Sequence, residues 1–479
     1  MRTKLIIIFS LIFYLFIISC MQNKTTDDSN LPKPNFIFIF CDDLGYGDLG
    51  CYGNKIHRTP SLDKMASEGI KFTDFYVASG VCTPSRAALM TGCYPRRVDL
   101  DINARPVGTI GRQVLFPKAH KGLNPNEITV AEILKKQDYN TACIGKWHLG
   151  DQNEFLPTKQ GFDYYFGIPY SNDMNRDFCP LPLMEMELVI EAPVNQNTLT
   201  RRYTEKVVDY IMNNDPQKTG KPFFVYFPHA MTHNPLHAGE AFRGKSANGI
   251  YGDAVEEIDW STGEILKTLK ELGIDKNTMV MFSSDNGAAK PFGGTNVPLH
   301  GWKASTYEGG QRVPFLAWWP GKIKPGSTNT AMVTAMDIMP TIAKIAGSSA
   351  PTDRIIDGKD ISTHIFTGNK ISPHEFFAYY QKEQLQAIRS GKWKLQLPLD
   401  SMYANIHRVG FKAGQSLKLI DLSTDIAEQK DLSEENPEIV IKLMGYAEQM
   451  RNDIGDLNIP PTNQRKAGLV EDPVPQLMK

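Results

Sequence analysis

The sequence predicts an α/β fold with a largely parallel sheet, followed from about His374 by a smaller α+β segment with an antiparallel sheet. Three observations predict it. Nearly continuous apolar runs of strand length, such as Asn35-Phe36-Ile37-Phe38-Ile39-Phe40-Cys41, read as strands buried on both faces. Segments with helical periodicity separate these runs, the order expected of parallel strands joined by crossovers. Beyond His374 the helical spacers stop, and short strands over 376–380, 385–389, 393–397 and 417–422 follow at hairpin-like spacing, before a helix over 437–451.

Taken in order, the first strand ends abruptly in Asp42-Asp43-Leu44-Gly45-Tyr46-Gly47-Asp48. Adjacent carboxylates repel, and they are comfortable either in solvent or on a cation. Thr59-Pro60 opens a helix through Glu68, with Thr59 as N-cap and Pro60 at the first helical position. A strand over 71–78 leads into Val81-Cys82-Thr83-Pro84-Ser85-Arg86. Pro84 near the start, Ala87-Ala88-Leu89-Met90 next and Gly92 at the end mark a short helix. Cys82 then stands at its N-terminus, where free N–H groups favour an anion, and Arg86 lies one turn on, within reach of the same space. The same pattern also suits a buried structural cysteine.

Residues 94–126 read as a loop with a local basic excess: Arg96, Arg97, Arg105, Arg112, Lys118 and Lys121 against Asp99 and Asp101. An amphipathic helix over 129–137 and a strand over 141–144 precede Gly145-Lys146-Trp147-His148-Leu149-Gly150. In an extended segment Lys146 and His148 would share one side. Residues 169–197, with several Pro and Asn and little periodicity, are expected to form a long loop. A helix over 202–213 and a strand over 223–227 run into Pro228-His229-Ala230-Met231-Thr232-His233-Asn234-Pro235. A helix over 251–272 follows, then a strand over 278–284 that ends in Asp285-Asn286-Gly287, then Lys303, a strand over 315–319 and a helix over 337–346.

Four strands therefore deliver polar or ionisable residues just past their C-terminal ends: Asp42-Asp43, Lys146 with His148, His229 with His233, and Asp285-Asn286. In open α/β sheets ligands bind beyond those ends, so a single shared site is expected. Asp42, Asp43, Asp285 and Asn286 offer only oxygen ligands, a set suited to calcium rather than zinc. Arg86, Lys146, Lys303 and the histidines add positive or protonatable groups. Cation, metal and helix N-terminus together would make a pocket for a phosphoryl or sulfuryl group. His229 reads at least as well as a histidine packed at a strand end.

The chain has 479 residues, of which 41% are hydrophobic and 22% charged, the composition of an ordinary globular protein with a large core. A net charge of −1 provides no field for nucleic acid, and none is expected as a partner. The N-terminus differs from the rest: Arg2 and Lys4 precede an apolar run over 5–18, shorter than the ~20 residues a membrane-spanning helix needs. Residues 1–19 are expected to be an export signal, and Ile17-Ile18-Ser19-Cys20 resembles a bacterial lipobox. Cys20 would then carry a membrane lipid anchor, residues 20–34 would be a polar tether, and the protein would sit in the bacterial periplasm or on the outer membrane or cell surface. The six cysteines beyond Cys20 form no CxxC pair, so neither a zinc ribbon nor a thioredoxin-like motif is supported.

Cys82-Thr83-Pro84-Ser85-Arg86 with Thr91-Gly92 resembles the Cys-x-Pro-x-Arg signature of the type I sulfatase family, and Gly145-Lys146-Trp147-His148-Leu149-Gly150 resembles its second signature. The resemblance extends to Ser284-Asp285-Asn286-Gly287 and to Lys303 with Thr306-Tyr307-Glu308-Gly309-Gly310, and runs in order from Asn35 to about Ala346. It implies an alkaline-phosphatase-like catalytic domain over 35–373, with helices on both sides of the sheet, and the family's small α+β domain over 374–479. It also implies that a maturation enzyme oxidises Cys82 to formylglycine before folding, and that one calcium ion sits on Asp42, Asp43, residue 82, Asp285 and Asn286. One hydroxyl of the hydrated aldehyde would attack sulfur and expel the alcohol; loss of the proton on the other would then release sulfate. Arg86 and Lys146 would hold the formylglycine, His148 would assist sulfate release, and His233 with Lys303 would bind the ester and protonate the leaving oxygen.

Near His233-Asn234-Pro235 and 314–324 the chain is similar to arylsulfatase A and N-acetylgalactosamine-sulfatase types, so the expected substrate is a sulfated carbohydrate, with the basic loop at 94–121 as the expected specificity element. Two other readings remain. A phosphatase or phosphodiesterase of the same superfamily would carry Ser or Thr as nucleophile and ligands for two zinc ions. A non-catalytic glycan-binding lipoprotein would be expected to lose Cys82, Lys146 or Lys303, and all three are present.

Overall fold

Strand β1 (Asn35–Cys41) divides the core by simple alternation: Phe36, Phe38 and Phe40 enter one hydrophobic cluster, and Ile37, Ile39 and Cys41 enter another on the opposite face. The computed structural model describes residues 33–103, 112–399 and 416–478. The expected export signal, Cys20, nearly all of the tether and Arg105 lie outside the described residues.

After β1 come α1 (Pro60–Glu68), β2 (Ile70–Tyr76), α2 (Cys82–Thr91), the two-residue β3 (Lys121–Gly122), α3 (Val130–Lys136), β4 (Asn140–Ile144) and β5 (Tyr164–Gly167). The chain continues through β6 (Leu183–Glu185), β7 (Leu188–Glu191), α4 (Leu199–Asn213), β8 (Phe223–Pro228), α5 (Gly249–Glu271) and β9 (Thr278–Ser284). It then forms β10 (Arg312–Trp318), β11 (Ser327–Asn329), β12 (Val333–Thr334) and α6 (Ile338–Ile345). The large sheet has the order β11-β2-β10-β9-β1-β8-β4-β5-β6-β7, with β12 also beside β2. Strands β9, β1, β8, β4 and β5 are neighbours and all parallel, whereas β10 runs antiparallel to β9 and β2. Helices α2, α3 and α6 cover one face and α1, α4 and α5 the other, each through its apolar residues.

The four strands that end in ionisable residues are therefore consecutive in the sheet. Cys41 pairs with Ser284, Phe40 with Pro228 and Cys143 with Tyr226, so their C-terminal ends stand nearly level.

Two local expectations need correction. Residues 183–191, expected within a loop, form the hairpin β6–β7 at the sheet edge, where Leu188 and Ile190 are exposed. Strands of three and four residues are too short to show alternation. Thr59 makes no side-chain cap bond to α1. Asp259 of α5 accepts from the free N–H groups of Ser61 and Leu62 instead, at 3.1 and 2.8 Å, so a carboxylate remote in sequence caps the helix.

The second sheet is antiparallel throughout: β13 (Phe377–Gln381), β14 (Gln384–Ser390), β15 (Trp393–Gln396) and β16 (Lys418–Asp421), backed by α7 (Pro437–Ile454). Its core continues into the large sheet's side through Tyr76, Ala88 and Met336. A buried polar junction joins the two parts. Glu308 accepts from Tyr379 Oη at 2.8 Å and from Lys394 Nζ at 3.0 Å; Lys394 also pairs with Glu428 at 2.8 Å, and Arg312 and Arg389 share Asp74 at 2.9 and 2.8 Å. Lys394 also donates to the Thr306 carbonyl at 2.8 Å, which ties the segment after Lys303 to the small sheet.

Candidate active site

Backbone constraints bring the strand ends together. The Asp285 N–H donates to the Cys41 carbonyl at 3.0 Å and the Asp42 N–H to the Met231 carbonyl at 3.1 Å. Gly145 has φ +135°, and a Cβ there would lie 1.8 Å from the Pro228 carbonyl oxygen. Only glycine lets the chain leaving β4 pass so close to the end of β8, and the next residue, Lys146, donates its N–H to the same carbonyl at 2.8 Å.

Cys82 is the first residue of α2, a helix whose ten residues are all buried and which closes on Gly92 in the left-handed conformation, with its N–H on the Ala88 carbonyl at 2.9 Å. The Cys82 Sγ lies 3.3 Å from Asp42 Oδ1 and 3.7 Å from Lys303 Nζ. Arg86, one turn on, donates through Nε and Nη2 to Asp285 Oδ2 at 3.1 and 2.8 Å, and through Nη1 to the Lys146 carbonyl at 2.9 Å. Lys146 Nζ pairs with Asp42 and donates to Ser171 Oγ at 3.1 Å. Lys303 Nζ bridges both oxygens of Asp43, at 2.6 and 2.9 Å. His233 Nε2 lies 3.9 Å from Asp43 Oδ2, and its Nδ1 is held by Asn172 Oδ1 at 3.0 Å and the Asn234 carbonyl at 2.6 Å.

The structure thus brings Asp42, Asp43, Cys82, Arg86, Lys146, His233, Asp285, Asn286 and Lys303 into one connected cluster. His148 is beside it but bonds to none of them: Nε2 donates to the Leu115 carbonyl at 2.9 Å, and Nδ1 has no partner among the described residues. That carbonyl sets the tautomer, leaving a lone pair on Nδ1. Burial, Lys146 and Arg86 hold His148 well below the ordinary histidine range. His229 stands outside the cluster. Its ring packs on Phe227 at 4.2 Å between centroids, both nitrogens lack partners among the described residues, and burial lowers it to about 3.

Three buried carboxylates, Asp42, Asp43 and Asp285, face three fixed cations, Arg86, Lys146 and Lys303. Burial acts to raise Asp42, but Lys146, His233, Arg86 and Lys303 hold it well below the usual carboxylate range. Burial and the Asp42 charge push Asp285 up to about 7 against the pull of Arg86. Both Asp285 oxygens are engaged, Oδ2 by Arg86 and Oδ1 by the Asp43 N–H at 3.2 Å. Asn286 donates its amide to Asp43 Oδ1 at 2.7 Å, and its own Oδ1 is buried with no partner among the described residues. Ligand atoms of Asp42, Asp43, Cys82 and His233 all lie within 4.8 Å of one another. Two carboxylates and an orphaned amide oxygen beside them suit a hard cation, and His233, expected from sequence to bind the ester and protonate the leaving oxygen, belongs to the same cluster.

Other contributors escaped the sequence reading. Ser171 and Asn172, which contact Lys146 and His233, come from the segment expected to be a featureless loop, and a polar residue in an irregular stretch carries no periodic signal. Thr232 Oγ1 contacts the Asp42 and Asp43 carbonyls at 3.3 and 3.2 Å and meets Tyr251 Oη at 3.1 Å, and Tyr251 in turn donates to Asp48 at 2.5 Å. The basic loop is partly turned inward. Arg96 pairs with Asp101 at 2.9 Å, Arg97 with Asp357 and Asp453 at 2.7 and 2.5 Å, and Lys121 with Asp99 at 2.7 Å, so these three cations hold the fold rather than face solvent. Arg112 and Lys118 are exposed.

Against known proteins, a family model described as Sulfatase matches residues 34–348, and one described as N-sulphoglucosamine sulphohydrolase, C-terminal, matches residues 299–453. The chain is 40% identical over 382 residues to N-acetylgalactosamine-6-sulfatase of Rattus norvegicus, covering 76% of this chain and 71% of that one. It is 37% identical over 390 residues to arylsulfatase A of Homo sapiens, covering 75% and 74%. A solved structure from work on the metabolism of multiple glycosaminoglycans by Bacteroides thetaiotaomicron superposes with a TM-score of 0.76 at 28% identity, covering 88% of this chain and all of the other. The architecture is the alkaline-phosphatase-like fold, with its smaller antiparallel part. With the family model matching well over half of its length, this chain belongs to the sulfatase family, enzymes that hydrolyse sulfate esters.

Proposed function

We propose that the chain hydrolyses sulfate esters of carbohydrates, using a formylglycine made from Cys82 and one calcium ion. The observation that carries this reading is the seat of Cys82, at the first residue of a buried helix and between Asp42 and Lys303. As a thiol it is a poor nucleophile there, because burial and the Asp42 carboxylate push it well above the ordinary cysteine range. Oxidised to formylglycine, the residue would supply a hydrated aldehyde and so an oxygen nucleophile toward sulfur. With a relative exposure of 2%, Cys82 is out of reach of a modifying enzyme in the folded chain, which supports maturation before folding. The similarity to an N-acetylgalactosamine-6-sulfatase supports a sulfated sugar as substrate.

Calcium held by Asp42, Asp43, residue 82, Asp285 and Asn286 would supply positive charge toward the sulfuryl oxygens. The side chains do the rest. Arg86 locks Asp285 to the Lys146 backbone and so fixes the floor beneath residue 82. Lys146 Nζ, between Asp42 and Ser171, orients the nucleophilic group. Lys303, 3.7 Å from Sγ, binds the ester and, with His233, delivers a proton to the departing alcohol oxygen. His148 keeps an Nδ1 with no partner among the described residues, the acceptor required when sulfate is released. We assign the catalytic domain to 35–373 and the C-terminal domain to 374–479, and residues 1–19 to a lipoprotein signal, with export to the periplasm or cell surface on a lipid carried by Cys20.

The test is release of inorganic sulfate from a panel of defined sulfated sugars, by protein co-expressed with a maturation enzyme and checked by peptide mass for formylglycine at Cys82. Turnover of at least one sulfated sugar, lost in Cys82→Ala, is expected. Confirmed modification with turnover of phosphate esters and of no sulfate ester would establish the phosphatase reading instead, and turnover of neither would leave the glycan-binding reading.

A further inference from the structure

Asp42 and Asp43 are adjacent and buried, and their carboxylates repel each other, so something must hold both toward one point. Asp43 has φ of 62°, in the left-handed region that favours glycine. A residue with a side chain stays there only where its surroundings over-determine it. On the far side of the turn from the carboxylates, the two peptide carbonyls meet a pair of hydroxyls. Thr232 Oγ1 lies 3.3 Å from the Asp42 carbonyl oxygen and 3.2 Å from that of Asp43. Tyr251 Oη lies 3.4 Å from the Asp43 carbonyl oxygen and 3.1 Å from Thr232 Oγ1. No other hydrogen-bond donor reaches either carbonyl among the described residues.

Tyr251 belongs to the first turn of α5, and Asp48 fixes its hydroxyl in place. That hydroxyl donates to Asp48 Oδ2 at 2.5 Å. The Gly45 N–H donates to the same oxygen at 2.7 Å, and the Thr295 N–H donates to Oδ1 at 2.9 Å. Asn248 donates its amide to His57 Nε2 at 2.8 Å, so the other ring nitrogen carries the proton and donates to the Asp48 carbonyl at 2.9 Å. Asp48 therefore ties together the turn after β1, the start of α5 and the segment that leads to Lys303. Its carboxylate is fully buried and makes no hydrogen bond to Asp42, Asp43, Asp285 or Asn286 among the described residues, so it acts on them through Tyr251.

We propose that Tyr251 and Thr232, with Asp48 as their anchor, are positioning residues for the cation site: they hold the Asp42 and Asp43 carbonyls and so keep both carboxylates aimed at one point. Asp43 cannot relax from its left-handed conformation without turning its carbonyl away from both hydroxyls. The carboxylates would then leave the arrangement in which ligand atoms of Asp42, Asp43, Cys82 and His233 lie within 4.8 Å of one another. Outer partners of this kind set the orientation of metal ligands, and their loss weakens metal binding more than it weakens the fold. This assignment rests on the calcium reading given above and deepens it.

The experiment titrates calcium into the matured full-length enzyme after treatment with a chelator, and into Tyr251→Phe, Thr232→Val and Thr232→Ser, by calorimetry. The first two variants keep the shape of the side chain and remove its hydroxyl; the third keeps the hydroxyl. The calcium Kd is expected to rise about tenfold in Tyr251→Phe and in Thr232→Val, with Thr232→Ser close to the parent. Should Tyr251→Phe fail to fold, the two Thr232 variants decide. Urea unfolding of the same proteins in chelator reads the fold alone. A variant that keeps the parent's Kd overturns the assignment, and if it is also less stable in chelator the hydroxyls serve the fold rather than the site. Binding by Thr232→Ser as weak as by Thr232→Val overturns it as well, because the hydroxyl is then not what matters. No calcium binding by the parent overturns the calcium reading, and the assignment falls with it.

Discussion

Replacing His229 tests the burial argument with a measurable number. Its imidazole is fully buried, packs on Phe227, and finds no hydrogen-bond partner for either nitrogen among the described residues. The unfolded chain binds a proton on this group near 6.5, and the folded chain does not until about 3. Stability from this residue is therefore intact above pH 6.5 and lost as pH falls toward 3, because the unfolded state binds more protons in that window. Each pH unit below 6.5 costs about 1.4 kcal/mol, so about 2 kcal/mol is gone by pH 5. His229→Leu removes the titration and the unpaired nitrogens, whose burial costs about 1–3 kcal/mol. The variant is expected to match or slightly exceed the parent at pH 8 and to exceed it by about 2 kcal/mol more at pH 5. Urea unfolding at pH 8, 6 and 5 measures the difference, from which all other titrating groups cancel. If parent and variant lose stability in parallel between pH 8 and 5, the imidazole is hydrogen-bonded or charged in the fold and the reasoning is wrong. His229→Phe, able to stack on Phe227, serves if the leucine variant misfolds.

Other outcomes follow from single contacts. Asn172→Ala should reduce kcat roughly tenfold with little change in KM, because His233 would lose one of the two groups that orient its Nδ1; an unchanged kcat would show that the Asn234 carbonyl suffices. Gly145→Ala should yield little folded protein, since the added Cβ has nowhere to go beside Pro228; normal expression with full activity would contradict the close approach of Gly145 to the Pro228 carbonyl. Lys394→Met should destabilise by about 3–5 kcal/mol, leaving Glu308 and Glu428 buried without their shared cation; chemical denaturation reads this directly. Calcium at one hundred times its Kd should add about 2.7 kcal/mol of stability in the parent. In Asn286→Leu that increment should shrink markedly, and an equal increment in both would remove Asn286 from the proposed ligand set.

Much of the large sheet was readable because a strand buried on both faces is apolar along most of its length, and β1 and β8 are. The start and stop of α2 were readable from Pro84 and Gly92, whose backbone preferences act locally. The short edge strands β6 and β7, and β11 and β12, were not, because two to four residues cannot establish a period. Thr59 illustrates a different failure: a good N-cap residue stands in place, yet Asp259 from α5 bonds the helix start. The ion-pair partners of the basic loop were hidden for a similar reason. Charge counted along the chain says nothing about carboxylates such as Asp357 and Asp453, which reach Arg97 from 260 and 356 residues away.

By itself, the sequence determined the longer central strands, which residues close them, and that acids, cations and histidines collect at four strand ends. Those properties are written in neighbouring residues, as apolar runs, turn formers and adjacent charges. The tertiary structure alone decided that the four ends are consecutive and level in one sheet, that Arg86 meets Asp285 across 199 residues, and that Ser171 and Asn172 come to serve Lys146 and His233. Pairings of that kind depend on packing between distant segments, and no local pattern encodes them.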